Sequence, residues 1–117
     1  MKTEHEEQRN FVNWMKKKSL VDYRYGLIFA IPNGGKRGKI TAAKLKLEGV
    51  RPGIPDLFLP VPTNLYHGLF IEMKRYKGGT LSKNQIIWLN ALLNQGYLCK
   101  VGNGAEEAKD IVRRYLK

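Results

Sequence analysis

A chain of 117 residues amounts to one domain, 1–117, and leaves no room for a second core. Its 43% hydrophobic and 26% charged residues are the composition of a folded globular protein and exclude a disordered one. Lysine and arginine number 21 against 10 aspartates and glutamates, and this net charge of +11 makes a polyanion the expected partner.

The first ten residues are polar and acidic, without the apolar run of a signal peptide. The first element predicted is a helix over 3–18. Phe11, Val12 and Met15 recur at helical spacing, Thr3 with Glu6 forms a capping-box pattern, and three lysines close the last turn. An apolar run over 27–31 reads as a strand stopped by Pro32, and a basic glycine-containing loop, 33–38, follows it. Residues 40–48 are helix-prone and end at Gly49, and 51–55 form a rigid turn. Strands are expected over 56–59 and 68–74, joined as a hairpin through 61–67. Ser82 caps a helix over 83–94, 97–101 is a strand, and 105–116 is a last amphipathic helix. The longest uncharged stretch, 84–99, is polar in part and shorter than the roughly 20 apolar residues of a membrane span. Cys99 is alone, which leaves no internal disulfide and no cysteine zinc site. The expectation is a soluble cytoplasmic protein. Its α/β fold has the order αβ(α)ββαβα, a small mixed central sheet flanked by helices.

The residues with chemical reach are Pro55-Asp56 and Glu72-Met73-Lys74. On a strand, positions i and i+2 share a face, so Glu72 and Lys74 project together while Ile71 and Met73 project into apolar packing. If the 56–59 and 68–74 strands pair, Asp56 lies beside Glu72, and two carboxylates and an ammonium converge. Hard divalent cations favour such carboxylates, and a bound cation activates water and neutralises phosphoryl charge. Taken singly, Glu72 with Lys74 could be a solvated pair and Asp56 a turn residue; their place at strand ends beside a rigid turn favours function. Lys36, Arg37, Lys39, Lys44, Lys46 and Arg51 stand against Glu48 alone between 36 and 51, a segment suited to phosphate contact. His5 and His67 have no zinc-ligand spacing and no HNH-type set, and no nucleotide-binding glycine motif occurs. Trp14, Trp88, Phe11 and Tyr97 are expected in the core.

Asp56 with Glu72-Met73-Lys74 resembles the PD-(D/E)xK nuclease signature. Asn33-Gly34-Gly35-Lys36-Arg37, the run from Leu45 through Arg51-Pro52-Gly53-Ile54-Pro55-Asp56-Leu57, Gly68 to Lys74, and Leu81-Ser82 to Gln85 with Trp88-Leu89 resemble, in order, successive blocks of the VRR-NUC domain of that superfamily. The resemblance covers nearly the whole chain and is to the stand-alone, phage-type members. It implies a restriction-endonuclease-like core and a divalent-metal-dependent phosphodiesterase, with Mg²⁺ as cofactor and Mn²⁺ as a substitute. Asp56, Glu72 and the Met73 carbonyl would be metal ligands and Lys74 the catalytic lysine. It also implies a glutamine, Gln85, facing the catalytic centre, and a homodimer that cuts branched DNA such as four-way junctions in a bacterial or phage-infected cell.

The same resemblance places a glutamate of the first helix near the site. Glu4, Glu6 and Glu7 compete. Glu4 stands four residues before Gln8, as in the family, and positions 4, 8, 11 and 15 share a helical face; Glu6 and Glu7 read as solvated or capping. Leu65, Tyr66 and Leu69 offer apolar material for an interface. Two other functions fit the charge: a flap- or end-processing nuclease, and a non-catalytic DNA-binding module retaining the fold. The intact Asp56, Glu72 and Lys74 set favours catalysis.

Overall fold

A computed structural model describes residues 1–33 and 38–117. Lys36 and Arg37, with the glycines before them, lie outside the described residues. Among the described residues, four helices and four strands run in the order α1 (Glu4–Lys18), β1 (Phe29–Ala30), α2 (Lys39–Leu47), β2 (Leu57–Leu59), β3 (Leu69–Lys74), α3 (Lys83–Asn94), β4 (Leu98–Asn103) and α4 (Ala105–Tyr115). The expected order is therefore present, with an added 3-10 helix over Tyr23–Leu27. Asp22 begins that helix by accepting a hydrogen bond from the Arg24 N–H, and the strand expected over 27–31 is reduced to two residues.

The sheet order is β1-β2-β3-β4. β1 and β2, and β2 and β3, are antiparallel, whereas β3 and β4 are parallel because α3 carries the chain across between them. The β2–β3 register sets Leu57 opposite Ile71 and Leu59 opposite Leu69. All four of these side chains are buried and face α1 and α4.

Parity on β3 divides the molecule. Leu69, Ile71 and Met73 join Phe11 and Met15 of α1 and Ala108 and Val112 of α4 in the core. Phe70, Glu72 and Lys74 point to the other side. There Phe70 stacks on Phe58 at 4.3 Å between ring centroids and meets Tyr97 edge-on. Phe11 is core as expected and Trp14 packs against it, but Tyr97 and Trp88 are only half-buried and outside it. Leu69 is fully buried, which removes it from any interface and leaves Leu65 and Tyr66 beside a cavity of about 1000 Å³ between 61–66 and α4.

Glu7 departs from the expectation for the first helix. It is buried, and its Oε1 accepts a 3.0 Å hydrogen bond from the Ala105 N–H across 98 residues of sequence. Gly104, at φ 89°, turns the chain into α4 and has no side chain with which to cap it. The carboxylate from α1 takes that role at the positive end of the helix. The turn pattern 7-11-15 was the signal for this position. Thr3 and Glu6 form the expected capping box.

Candidate active site

Asp56 and Glu72 meet because β2 and β3 pair. By the register Asp56 stands opposite Glu72, and both face away from the core. Asp56 is held at both oxygens: Oδ2 accepts from the Met73 N–H at 2.7 Å and Oδ1 from the Asn33 side-chain amide at 3.3 Å. Asn33 was part of a sequence block but had no assigned role; only the tertiary approach of β1 to β2 shows it, through the bond from the Ile31 N–H to the Asp56 carbonyl.

Gln85 ties the other carboxylate to the lysine. Its amide nitrogen donates to Glu72 Oε2 at 2.9 Å, and its carbonyl accepts from Lys74 Nζ at 3.0 Å and from the Ser82 N–H at 2.8 Å. The residue that closes the capping box of α3 thus fixes the site as well. Lys74 Nζ lies 3.7 Å from Glu72 Oε2, and both side chains are almost wholly buried. Both ends of the Gln85 amide are engaged with protein groups, which makes it a positioning residue for Glu72 and Lys74.

Glu72 Oε1 is buried without a hydrogen-bond partner among the described residues. Burial raises the Glu72 carboxyl to about 8, with the adjoining Asp56 carboxylate and the charge of Glu4 acting in the same direction and Lys74 opposing them. Burial also raises Asp56, against the Met73 N–H and Lys74. Burial and mutual repulsion thus bias the metal-free pair toward binding a proton. Of the three glutamates that competed, Glu4 is the one whose charge reaches Glu72.

Met73 offers its backbone. The carbonyls of Gly68 and Lys74 accept from the N–H groups of Leu98 and Gly104, so even positions of β3 bond toward β4 and odd positions toward β2. The β2–β3 pairing ends at Leu57 and Ile71; continued, it would set Pro55 against Met73, and proline has no N–H to give. The Met73 carbonyl is thereby left without a ladder donor, next to Asp56. No three His, Cys, Asp or Glu side chains among the described residues converge on one point. Two carboxylates, one orphaned oxygen and a ladder-free carbonyl fit a hard cation that completes its shell with water.

Lys39, Lys44, Lys46 and Arg51 are all exposed. α2 has no buried residue, so its lysines stand free of the core. Burial pushes the Cys99 thiol up to about 11, which leaves no thiolate nucleophile at neutral pH.

The chain matches the VRR-NUC domain over residues 2–106. A solved VRR_NUC domain protein is 28% identical, with a TM-score of 0.83, and the alignment covers 98% of this chain and 88% of that one. Among curated proteins none matches.

Proposed function

Since this chain belongs to the VRR-NUC family and is a nuclease-type domain with DNA as its substrate, we propose that it is a divalent-metal-dependent endonuclease that cuts branched DNA. The observation that carries the metal dependence is the buried, unpartnered Oε1 of Glu72, set beside the Asp56 carboxylate. Asp56, Glu72 and the Met73 carbonyl would hold Mg²⁺, with Mn²⁺ as a substitute. When bound, that ion supplies charge neutralisation at the phosphoryl oxygens and a lowered pKa for its water.

The other residues act on the phosphate and on the carboxylates. Lys74, held at Nζ by Gln85, is a donor to a phosphate oxygen as negative charge develops on it. Gln85 keeps Glu72 and Lys74 in register, Glu4 adds negative charge on the α1 side, and Asn33 fixes the Asp56 rotamer. Lys39, Lys44, Lys46 and Arg51, with Lys36 and Arg37 of the adjoining loop, neutralise flanking phosphates.

A branched substrate suits a two-fold symmetric protein. A four-way junction is cut at two symmetric positions, which a two-fold dimer with two centres satisfies. Apolar side chains left exposed, among them Leu65, Ile86 and Leu93, supply surface for such a dimer. The test is a cleavage panel of linear duplex, flap, single strand and four-way junction, with Mg²⁺, Mn²⁺ or EDTA. Cleavage of the junction, abolished by EDTA, is expected. Asp56→Asn and Glu72→Gln should each lose more than the roughly 10–100-fold that loss of an outer-shell partner costs, and Gln85→Ala should fall within that range. Full activity in either carboxylate variant would overturn the assignment, and cutting confined to flaps or ends would favour an end-processing nuclease.

A further inference from the structure

Beside the catalytic residues lies a cleft that the reaction described above does not use. It has a volume of about 360 Å³, at the small end of the ~300–1,000 Å³ typical of small-ligand sites, and is lined by Arg51, Pro52, Asn84, Ile87 and Trp88. One wall is the turn before β2 and the other is the first two turns of α3. Gly53, at φ 87°, presses the turn onto the helix so closely that a Cβ there would meet the Asn84 Cβ at 2.6 Å and its carbonyl carbon at 2.7 Å. Backbone packed directly on backbone sets the spacing of the walls.

Both walls continue into the site. The turn runs on through Pro55 to Asp56, and Asn84 directly precedes Gln85, which holds Glu72 and Lys74. Chain continuity thus joins both walls of the cleft to residues of the carboxylate site.

The lining identifies the occupant. The Arg51 guanidinium lies over the Trp88 ring, 5.3 Å from its centroid, giving a planar cation stacked on an aromatic face. Pro52 and Ile87 add apolar surface and Asn84 a carboxamide that both donates and accepts; among the described residues no acidic side chain lines the cleft. Flat aromatic and guanidinium surfaces are what nucleobases stack on, and a carboxamide reads a base edge. A base within a duplex is covered on both faces by its neighbours and has no access to such a slot; an unpaired or extruded base has.

We propose that this cleft takes one unpaired nucleobase next to the cleaved phosphodiester, of the kind exposed where a branch point opens, which makes Trp88 and Arg51 determinants of affinity for DNA with unpaired nucleotides. The proposal rests on the nuclease reading and names its substrate class. The Arg51 guanidinium, backed by Trp88, supplies the stacking plane and a charge for the adjoining phosphate, and Asn84 the edge contact.

The test is equilibrium binding in EDTA, which prevents cleavage, of the full chain to a short thymidine oligonucleotide and to an abasic strand of equal length and charge. The wild type should bind the base-bearing strand more tightly. Trp88→Ala should lose roughly tenfold on the base-bearing strand, the order found when base–aromatic stacks are removed, and nothing on the abasic one. Trp88→Phe, which keeps an aromatic face and guards against a folding defect, should retain most of the preference. Arg51→Ala should weaken both strands and lower the salt slope by about 0.7, as expected for one single-strand phosphate contact. Equal losses on both strands in Trp88→Ala, or no preference for bases in the wild type, would overturn the cleft while leaving the nuclease reading intact. Absence of binding to any DNA, together with no cleavage in the panel, would overturn both.

Discussion

Glu72 is the most consequential single residue. Its carboxyl stands near 8 in the folded protein against an ordinary 4.5, chiefly through burial and then through Asp56. A folded-state pKa above the unfolded one means that the folded state binds the extra proton. The resulting stability is complete below about 4.5, declines as pH rises through the interval, and is lost above about 8. The metal-free protein should therefore become less stable between those limits, and Glu72→Gln should remove that decline, gaining on the order of a few kcal/mol at pH 9. Urea titrations of both proteins at pH 5 and pH 9, in EDTA, measure the difference; parallel pH profiles would refute it. Divalent binding should displace about one proton at neutral pH, because a coordinating carboxylate must be ionised. Calorimetry in two buffers of different ionisation enthalpy counts it.

Lys74, Asp56 and Glu72 were legible in the sequence because strand parity and a hairpin suffice to bring them together. Asn33 was not, since nothing in its neighbourhood shows that β1 would lay it against Asp56. Trp88 was expected in the core, where an aromatic residue at helical spacing is most often found. It is instead only half-buried, on a helix with no buried residue at all.

At the scale of elements, one helix caps the end of another. α4 starts at a glycine and takes its acceptor from Glu7, on α1. Glu7→Ala should cost about 1–2 kcal/mol, the range of a lost cap in a buried setting, while Glu7→Gln keeps an acceptor and should cost less. Denaturant midpoints for the two variants provide the measurement, and an Ala variant as stable as the wild type would refute the role. The sequence contained this information in the 7-11-15 spacing, but an acidic residue in a first turn satisfies the helix dipole equally well, and that local explanation hid the distant one. The shortening of β1 has a similar origin. Asp22 and Arg24 begin a 3-10 helix through a side-chain contact that an apolar run by itself does not reveal. α3, by contrast, keeps the predicted bounds of 83–94, since its start is fixed by Ser82 and Gln85 and its end by Gly96.

At the scale of the whole molecule, charge sets the expected binding. A net charge of +11, with exposed lysines on a helix that contributes nothing to the core, predicts strongly salt-dependent association. Replacing Lys44 and Lys46 together with alanine should flatten the dependence of log K on log salt by about 0.9 for every duplex phosphate that the protein no longer neutralises. It should weaken all duplex substrates alike and leave the thermal midpoint nearly unchanged, since neither side chain is buried. An unaltered slope would mean that α2 faces away from DNA. Light scattering should give a particle of twice 13.4 kDa, and a mass of 13.4 kDa with and without junction DNA would reject the dimer.

The alternation along β3 has a consequence for how this protein tolerates change. Leu69, Ile71 and Met73 are packed in the core, whereas Glu72 and Lys74, to which we assign the chemistry, lie on the opposite face. In a library carrying every substitution across these positions, scored once for abundance and once for cutting, the two scores should separate with a period of two. Changes at 69, 71 and 73 should deplete the protein itself. Changes at 72 and 74 should leave it abundant but inert, and Gln at 72 should raise the yield. Drift in such a lineage would extinguish activity long before it dissolved the fold, so descendants that keep the shape and the positive charge without the carboxylates would arise readily as inactive DNA-binding copies.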